Sequence, residues 1–272
     1  MIIDLFKFIF LGLIQGLTEP IPVSSSGHLL IFQNLLGNNL NVDFGLLATL
    51  TNCGSLIAIT LLYRKDIANL FKGFFGYLKT KKSEYYDNYK YCWLIVIGTI
   101  PAGIMGLVVT KLGLFEALEE NVKFVGITLL ITALFLFLIR KIKGKKDPNQ
   151  ITYKDAIIVG LFQVIALIPG ISRSGATIVG GMTRKFKRET AFNFSFILYI
   201  PISIATTILG ISDLINSDLT LNMWICYLSA TLVAGILTYF ATKWFRDIVK
   251  HGKLIYFVVY CLIVGTLVIL FL

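Results

Sequence analysis

Apolar residues run along this chain in long blocks, not at the period of a half-buried helix or strand. Six blocks approach the roughly 20 residues that a bilayer-crossing helix needs: 44–63, 92–112, 122–142, 192–211, 223–245 and 254–272. The pattern predicts an all-α polytopic membrane protein forming a single integral membrane domain over 1–272, with almost nothing left for a soluble domain. Two further stretches behave differently. In each, an apolar run of about 15 residues, too short to span comfortably, ends at Pro or Gly and gives way to a small Ser-rich turn and a second short apolar run. Between the first two spans, Ile67, Leu70, Phe71, Phe74, Phe75 and Leu78 share one helical face beside Lys72, Lys79, Lys81 and Lys82, the signature of an interfacial amphipathic helix.

The two interrupted stretches are copies of each other. At an offset of 148 residues and without gaps, 11–28 (LGLIQGLTEPIPVSSSGH) lies over 159–176 (VGLFQVIALIPGISRSGA). Gly12, Leu13, Gln15, Ser24, Ser26 and Gly27 meet Gly160, Leu161, Gln163, Ser172, Ser174 and Gly175, and farther on Phe44, Leu50 and Ser55 meet Phe192, Leu198 and Ser203. The chain therefore reads as two repeats, 1–142 and 153–272. Short, Pro/Gly-interrupted segments at matching places in two halves point to re-entrant helical hairpins around a site near the midplane, the alternative being a kinked full-length helix. With a hairpin plus three transmembrane helices in each repeat, the odd number of crossings inverts the second repeat relative to the first.

Charge enters here as a topology signal. The formal net charge is +10, which in a soluble protein suggests nucleic acid; in a chain with a mean hydropathy of +0.80 its placement matters more, and no nucleic-acid partner is expected. Loops 64–91, 140–154, 184–188 and 243–253 hold 7, 6, 4 and 4 of the 25 Lys and Arg residues, leaving only Lys7, Lys111, Lys123 and Arg173 elsewhere. Cytoplasmic loops are the positive ones, so both termini are expected outside the bacterial cytoplasmic membrane, with Asn38 and Asn216 outside and Lys145 inside. The acidic start, Asp4 with a single Lys7, and the return of the same pattern within the chain argue against a signal peptide. The four cysteines have no paired spacing and read as packing residues, not a disulfide framework or zinc site.

On this topology Glu19 and Arg173 are the charged residues inside the membrane, at the hairpin tips, where function is the default reading of a charge; an ion pair that merely joins the tips is the plain one. Ser24 after Pro22 and Ser172 after Pro169 and Gly170 are placed as N-caps of half-helices. Two half-helix N-termini aimed at the middle make an anion site, to which Arg173 adds a planar fork suited to phosphate and Ser172, Ser174 and Thr177 add hydroxyls. Such hydroxyls taken singly are more often helix-packing residues. Ser25 and His28, three apart, share a helical face and pair a nucleophile with a base, although a membrane histidine is often only an interhelical hydrogen-bonder. Glu19 at the negative end of its helix calls for a cation, and a divalent ion shared with phosphate oxygens suits it.

QGLTEPIPVSSSGH (15–28) and PGISRSGAT (169–177) resemble the two signature motifs of the bacterial undecaprenyl-diphosphate phosphatases of the bacitracin-resistance type, and the resemblance runs over nearly the whole chain. It implies a membrane enzyme that hydrolyses undecaprenyl diphosphate to the monophosphate, recycling the lipid carrier of peptidoglycan synthesis and so conferring bacitracin resistance. It further implies a divalent metal, Mg²⁺ or Ca²⁺, with Glu19 as ligand. By position, Glu19, Ser25, His28 and Arg173 match the family's functional residues, with Gln15, Ser24, Ser26, Ser172, Ser174 and Thr177 about the substrate. The family carries glutamate or glutamine at Gln15; the glutamine here leaves one carboxylate where others have two. Ser25 and His28 both stand as nucleophile candidates. Two other classes fit inverted repeats with broken helices: a transporter or flippase for an anionic or polyprenyl-phosphate substrate, and a non-catalytic lipid-binding scaffold. A homodimer is compatible with the sequence.

Overall fold

The computed structural model describes residues 2–36, 43–113, 121–215, 217 and 219–272, without the side chains of 211–213; Asn38 and Asn216 fall outside these. Among the described residues there are helices and turns and no strand beyond one bridge between Lys146 and Phe186. In chain order the helices are α1 (Ile2–Thr18), α2 (Ser25–Leu36), α3 (Phe44–Leu62), α4 (Arg64–Thr80), α5 (Tyr86–Lys111) and α6 (Val122–Ile139), then α7 (Tyr153–Ile165), α8 (Arg173–Thr183), α9 (Arg188–Ile215), α10 (Leu221–Lys250) and α11 (Ile255–Phe271). Five stretches, on α3, α5, α6, α9 and α10, are long and apolar enough to cross a membrane, and the sixth expected span, α11, is an apolar helix of 17 residues. The chain is a multi-pass membrane protein.

The interrupted stretches fold as helix–turn–helix pairs, α1 with α2 and α7 with α8, whose helices have only 17, 12, 13 and 11 residues. Packing is reciprocal between the repeats: α1 lies on α10, and its counterpart α7 lies on α5. The matched Gly12 and Gly160 make this approach possible, because a Cβ at Gly12 would strike the Ala230 backbone and one at Gly160 would strike the Gly98 carbonyl. Without a hydrophobic force between helices in lipid, such backbone proximity is what holds them. The turns then meet in the centre. Gly170, at φ +86°, turns the second hairpin in a conformation L side chains rarely adopt and lies against Thr128 of α6, while the Ser172 amide donates to Thr132 Oγ1 at 3.3 Å. The first turn lies alongside: Ser174 Oγ donates to the Ile21 carbonyl at 3.3 Å.

α4 splits its apolar side between two environments. Ile67 and Leu70 pack against the core, whereas Phe71 and Phe75 are exposed beside the lysines, as an amphipathic helix on a membrane surface requires.

At the loop end of α7, outside the spanning helices, Asp155 braces the second hairpin. Its Oδ2 accepts from Lys146 Nζ at 2.6 Å and from the Thr152 amide at 3.0 Å, and its Oδ1 accepts from Arg184 Nε at 2.7 Å, tying the preceding loop, α7 and the end of α8 together. Burial alone would raise this carboxyl's pKa, but the hydrogen bonds outweigh it and hold it at about 2, below its usual 3.8. A carboxylate depressed in this way contributes stability above its unfolded pKa and loses it as pH falls through the folded one. Asp155→Asn is therefore expected to lower the melting temperature in detergent at neutral pH, with the gap from wild type closing as pH falls from 3.8 toward 2. A gap independent of pH would show that the charge is not what braces the hairpin.

Candidate active site

The turn 19–24 carries α1 into α2, and Ser24, at φ +69°, opens the second helix by accepting the Gly27 amide on its Oγ at 3.2 Å. Its repeat counterpart Ser172 accepts the Gly175 amide at 3.1 Å, so both serines act as the caps their positions predict. Capping fixes the direction in which the second helix leaves the turn. Ser25 turns toward α1, where its Oγ donates to Glu19 Oε2 at 2.5 Å, and Gln15 Nε2 donates to the same oxygen at 2.9 Å. From the other hairpin, Arg173 Nη2 donates to Glu19 Oε1 at 2.8 Å. Gln15, Glu19, Ser25 and Arg173 are thus brought together on one carboxylate.

Around them lies a cavity of about 300 Å³, also lined by Ser26, Asn52, Tyr199 and Ser203. Leu167 lines it too, and by the 148-residue offset Leu167 and Arg173 are the counterparts of Glu19 and Ser25; equivalent positions of the two repeats share one cavity. Arg173 holds its guanidinium 3.9 Å from the centre of the Tyr199 ring. Its Nη1 is buried with no hydrogen-bond partner among the described residues. A buried, unpaired cationic donor is costly.

His28 is not brought to Ser25. Its Nδ1 lies 2.8 Å from the Ser24 carbonyl and its Nε2 lies 2.7 Å from Tyr260 Oη on α11. A carbonyl only accepts, so Nδ1 carries the proton and Nε2 of the neutral ring accepts from the tyrosine. The three-residue spacing does put the two residues on one side of α2, but a helical side chain leans back over the preceding turn. There His28 finds the carbonyl four residues before it, while Ser25 leans across to α1. Thr177 also lies apart from the cavity lining: its Oγ1 is 2.6 Å from Ser195 Oγ and 2.9 Å from the Arg173 carbonyl. Ser24, Ser172 and Ser174 serve the turns, leaving Gln15 and Ser26 of the expected substrate-binding set on the cavity.

As a metal centre the donor set is poor. Glu19 is the one carboxylate lining the cavity, both of its oxygens already accept hydrogen bonds, and no cluster of three His, Cys, Asp or Glu exists among the described residues. Hard divalent cations want several oxygen ligands. With one carboxylate present, such a cation would draw its other ligands from neutral oxygens such as those of Gln15, Asn52 and Ser203 and from the substrate's phosphates.

Residues 8–267 match the family described as "Bacitracin resistance protein BacA". The chain belongs to that family. Among its relatives, "Undecaprenyl-diphosphatase 1" of Bacillus cereus is 45% identical over 266 residues, covering 98% of this chain and 97% of the relative. "Undecaprenyl-diphosphatase 1" of Bacillus licheniformis is 44% identical over 267 residues, 98% of each chain. "Undecaprenyl-diphosphatase" of Oceanobacillus iheyensis is 44% identical over 267 residues, 97% and 96% of the two. Within this BacA-family chain, the cavity residues beyond the two motifs, Asn52, Tyr199 and Ser203, are invisible to motif reading. Asn52 left a trace as the one side-chain amide in the apolar block 44–63, and Ser203 as a matched position of the repeat; Tyr199 left none.

Proposed function

We propose that this BacA-family protein is a membrane-embedded phosphatase that hydrolyses undecaprenyl diphosphate to undecaprenyl phosphate and phosphate, which returns the carrier to peptidoglycan synthesis and confers bacitracin resistance. The observation that carries the reading is the 2.5 Å hydrogen bond from Ser25 Oγ to Glu19 Oε2 beside the unpartnered Nη1 of Arg173: a hydroxyl on a base, next to a donor for phosphate oxygen. The relatives' names supply the lipid. The cavity has room for the diphosphate head, and Leu29, Ala48 and Ile202 give its wall an apolar side for the start of the prenyl chain.

In the reaction, Ser25 Oγ gives its proton to Glu19 and attacks the terminal phosphorus. The bond to the bridging oxygen breaks and undecaprenyl phosphate leaves with the electron pair. That phosphate takes up the proton held by Glu19, and water, losing a proton to the freed carboxylate, then hydrolyses the phosphoserine; phosphate is released and the serine oxygen recovers the proton from Glu19. Phosphoryl transfer needs mainly positioning and charge stabilisation, which fall to Arg173 and the N-terminus of α8. His28 supports the turn that carries Ser25. Purified protein in detergent is expected to release phosphate from undecaprenyl diphosphate; lipid reorientation in vesicles without phosphate release would make it a transporter.

The divalent ion implied by the family resemblance is inferred to arrive on the lipid diphosphate. Substrate-free protein then keeps its melting temperature when Mg²⁺ or Ca²⁺ is added, and stabilisation at micromolar metal would place the ion in the protein instead.

A further inference from the structure

Arg173 has two tasks at once on the phosphatase reading, and its own bonds do not keep them apart. One single-point hydrogen bond, Nη2 to Glu19 Oε1 at 2.8 Å, leaves a guanidinium on a long stem free to swing into a two-point grip on the carboxylate, the geometry that arginine favours. That grip would commit both arms of the guanidinium to Glu19 and leave none for a substrate. Something else fixes the plane.

Tyr199 lies against it. The ring is 2% exposed, sits face-on to the guanidinium with Arg173 Cζ 3.9 Å from its centroid, and is itself anchored at the far end. Its hydroxyl donates to Asn52 Oδ1 at 2.7 Å, and Asn52 Nδ2 donates to Ser203 Oγ at 2.7 Å. The Asn52 amide thus joins the phenol on one side to the serine on the other. The chain crosses from α3 to α9 and ends on the residue that stacks on α8. Each member also lines the cavity.

The geometry points to Tyr199, held by Asn52 and Ser203, as a positioning residue that keeps Arg173 Nη2 on Glu19 and the guanidinium at the cavity wall, where a phosphate oxygen can meet it. The role rests on the phosphatase reading for its consequence in catalysis, but not for its consequence in anion binding. Tyr199 acts through Arg173, and the two must therefore be coupled.

A double-mutant cycle tests it. In the full-length protein, binding of a methylene-bridged farnesyl diphosphonate and kcat/KM for the lipid diphosphate are measured for Tyr199→Leu, Tyr199→Phe and Asn52→Ala. Each is made alone and combined with Arg173→Ala. Losing a desolvated cation–π stack is worth roughly 5- to 30-fold, so Tyr199→Leu alone is expected to weaken analogue binding and lower kcat/KM by about that factor. Tyr199→Phe, which keeps the ring and drops the anchor, is expected to lose about 3-fold, as is Asn52→Ala. In the Arg173→Ala background all three changes are expected to have under about 2-fold effect on analogue binding. Equal losses in both backgrounds would reduce Tyr199 to packing and overturn the inference, as would wild-type binding in Tyr199→Leu. If Tyr199→Leu fails to fold, the Tyr199→Phe and Asn52→Ala arms decide the same question. A wild type that binds the analogue but hydrolyses no lipid would sink the phosphatase reading and leave the cycle still readable through binding.

Discussion

Ser25→Ala is expected to abolish turnover, lowering kcat at least roughly 10⁴-fold in a protein that melts within a few degrees of wild type. The group removed is the one that forms the bond to phosphorus, and nothing else lining the cavity both donates to Glu19 at 2.5 Å and carries a transferable proton on oxygen. His28→Ala separates the two nucleophile candidates. The ring is already engaged on both nitrogens, by the Ser24 carbonyl and Tyr260 Oη, so its loss loosens the turn without removing the attacking atom; a decrease of about 10- to 100-fold is expected, smaller than the roughly 10² to 10⁴ typical of a general base. Acid quench after brief incubation with substrate labelled on the terminal phosphate should leave acid-stable label on Ser25. Acid-labile, base-stable label that disappears in His28→Ala would identify a phosphohistidine and reverse the assignment.

Arg173→Lys is expected to lower kcat/KM by about 10² to 10³ with the charge retained. An ammonium can replace the single bond to Glu19 Oε1, but it has no second arm to stand in for Nη1, and it presents no flat face to the Tyr199 ring 3.9 Å away. Steady-state kinetics alongside a melting curve decide the matter. Activity within about fivefold of wild type would make Arg173 a tie between the hairpins and little more.

Much of the architecture was legible before any coordinates because lipid imposes a coarse code: a crossing helix must be long and apolar, and the blocks matching α3, α5, α6, α9 and α10 obey it. The 148-residue offset went farther, since matched glycines such as Gly12 and Gly160 mark where backbones touch, and Glu19 and Arg173 were conspicuous as charges where charge is costly. Contacts decided by side-chain direction were not legible. Ser25 and His28 share a side of α2, yet one leans to α1 and the other onto the preceding turn and α11; spacing on a helix fixes a face and leaves the partner open. Tyr199 and Tyr260 look in sequence like any aromatic residue of an apolar block, because an aromatic that packs and an aromatic that positions an arginine or a histidine have the same hydropathy. Thr177 has the opposite problem. Its motif position suggests substrate, while its hydroxyl is satisfied inside the protein by Ser195.

The sharing of one cavity by equivalent positions of both repeats bears on what a shorter ancestor was able to do. A pair of identical half-length chains, assembled about a twofold axis, would set the same side chain at both members of each equivalent pair. A glutamate at position 19 would then face its own copy, and two carboxylates in so confined a space cannot both ionise. Here the counterpart of Glu19 is Leu167 and the counterpart of Ser25 is Arg173, so an acidic oxygen opposes a guanidinium and a hydroxyl has no rival. Joining the halves in a single polypeptide frees each to mutate alone, and a nucleophile, its base and its counter-cation come to occupy places that symmetry would have forced to be alike.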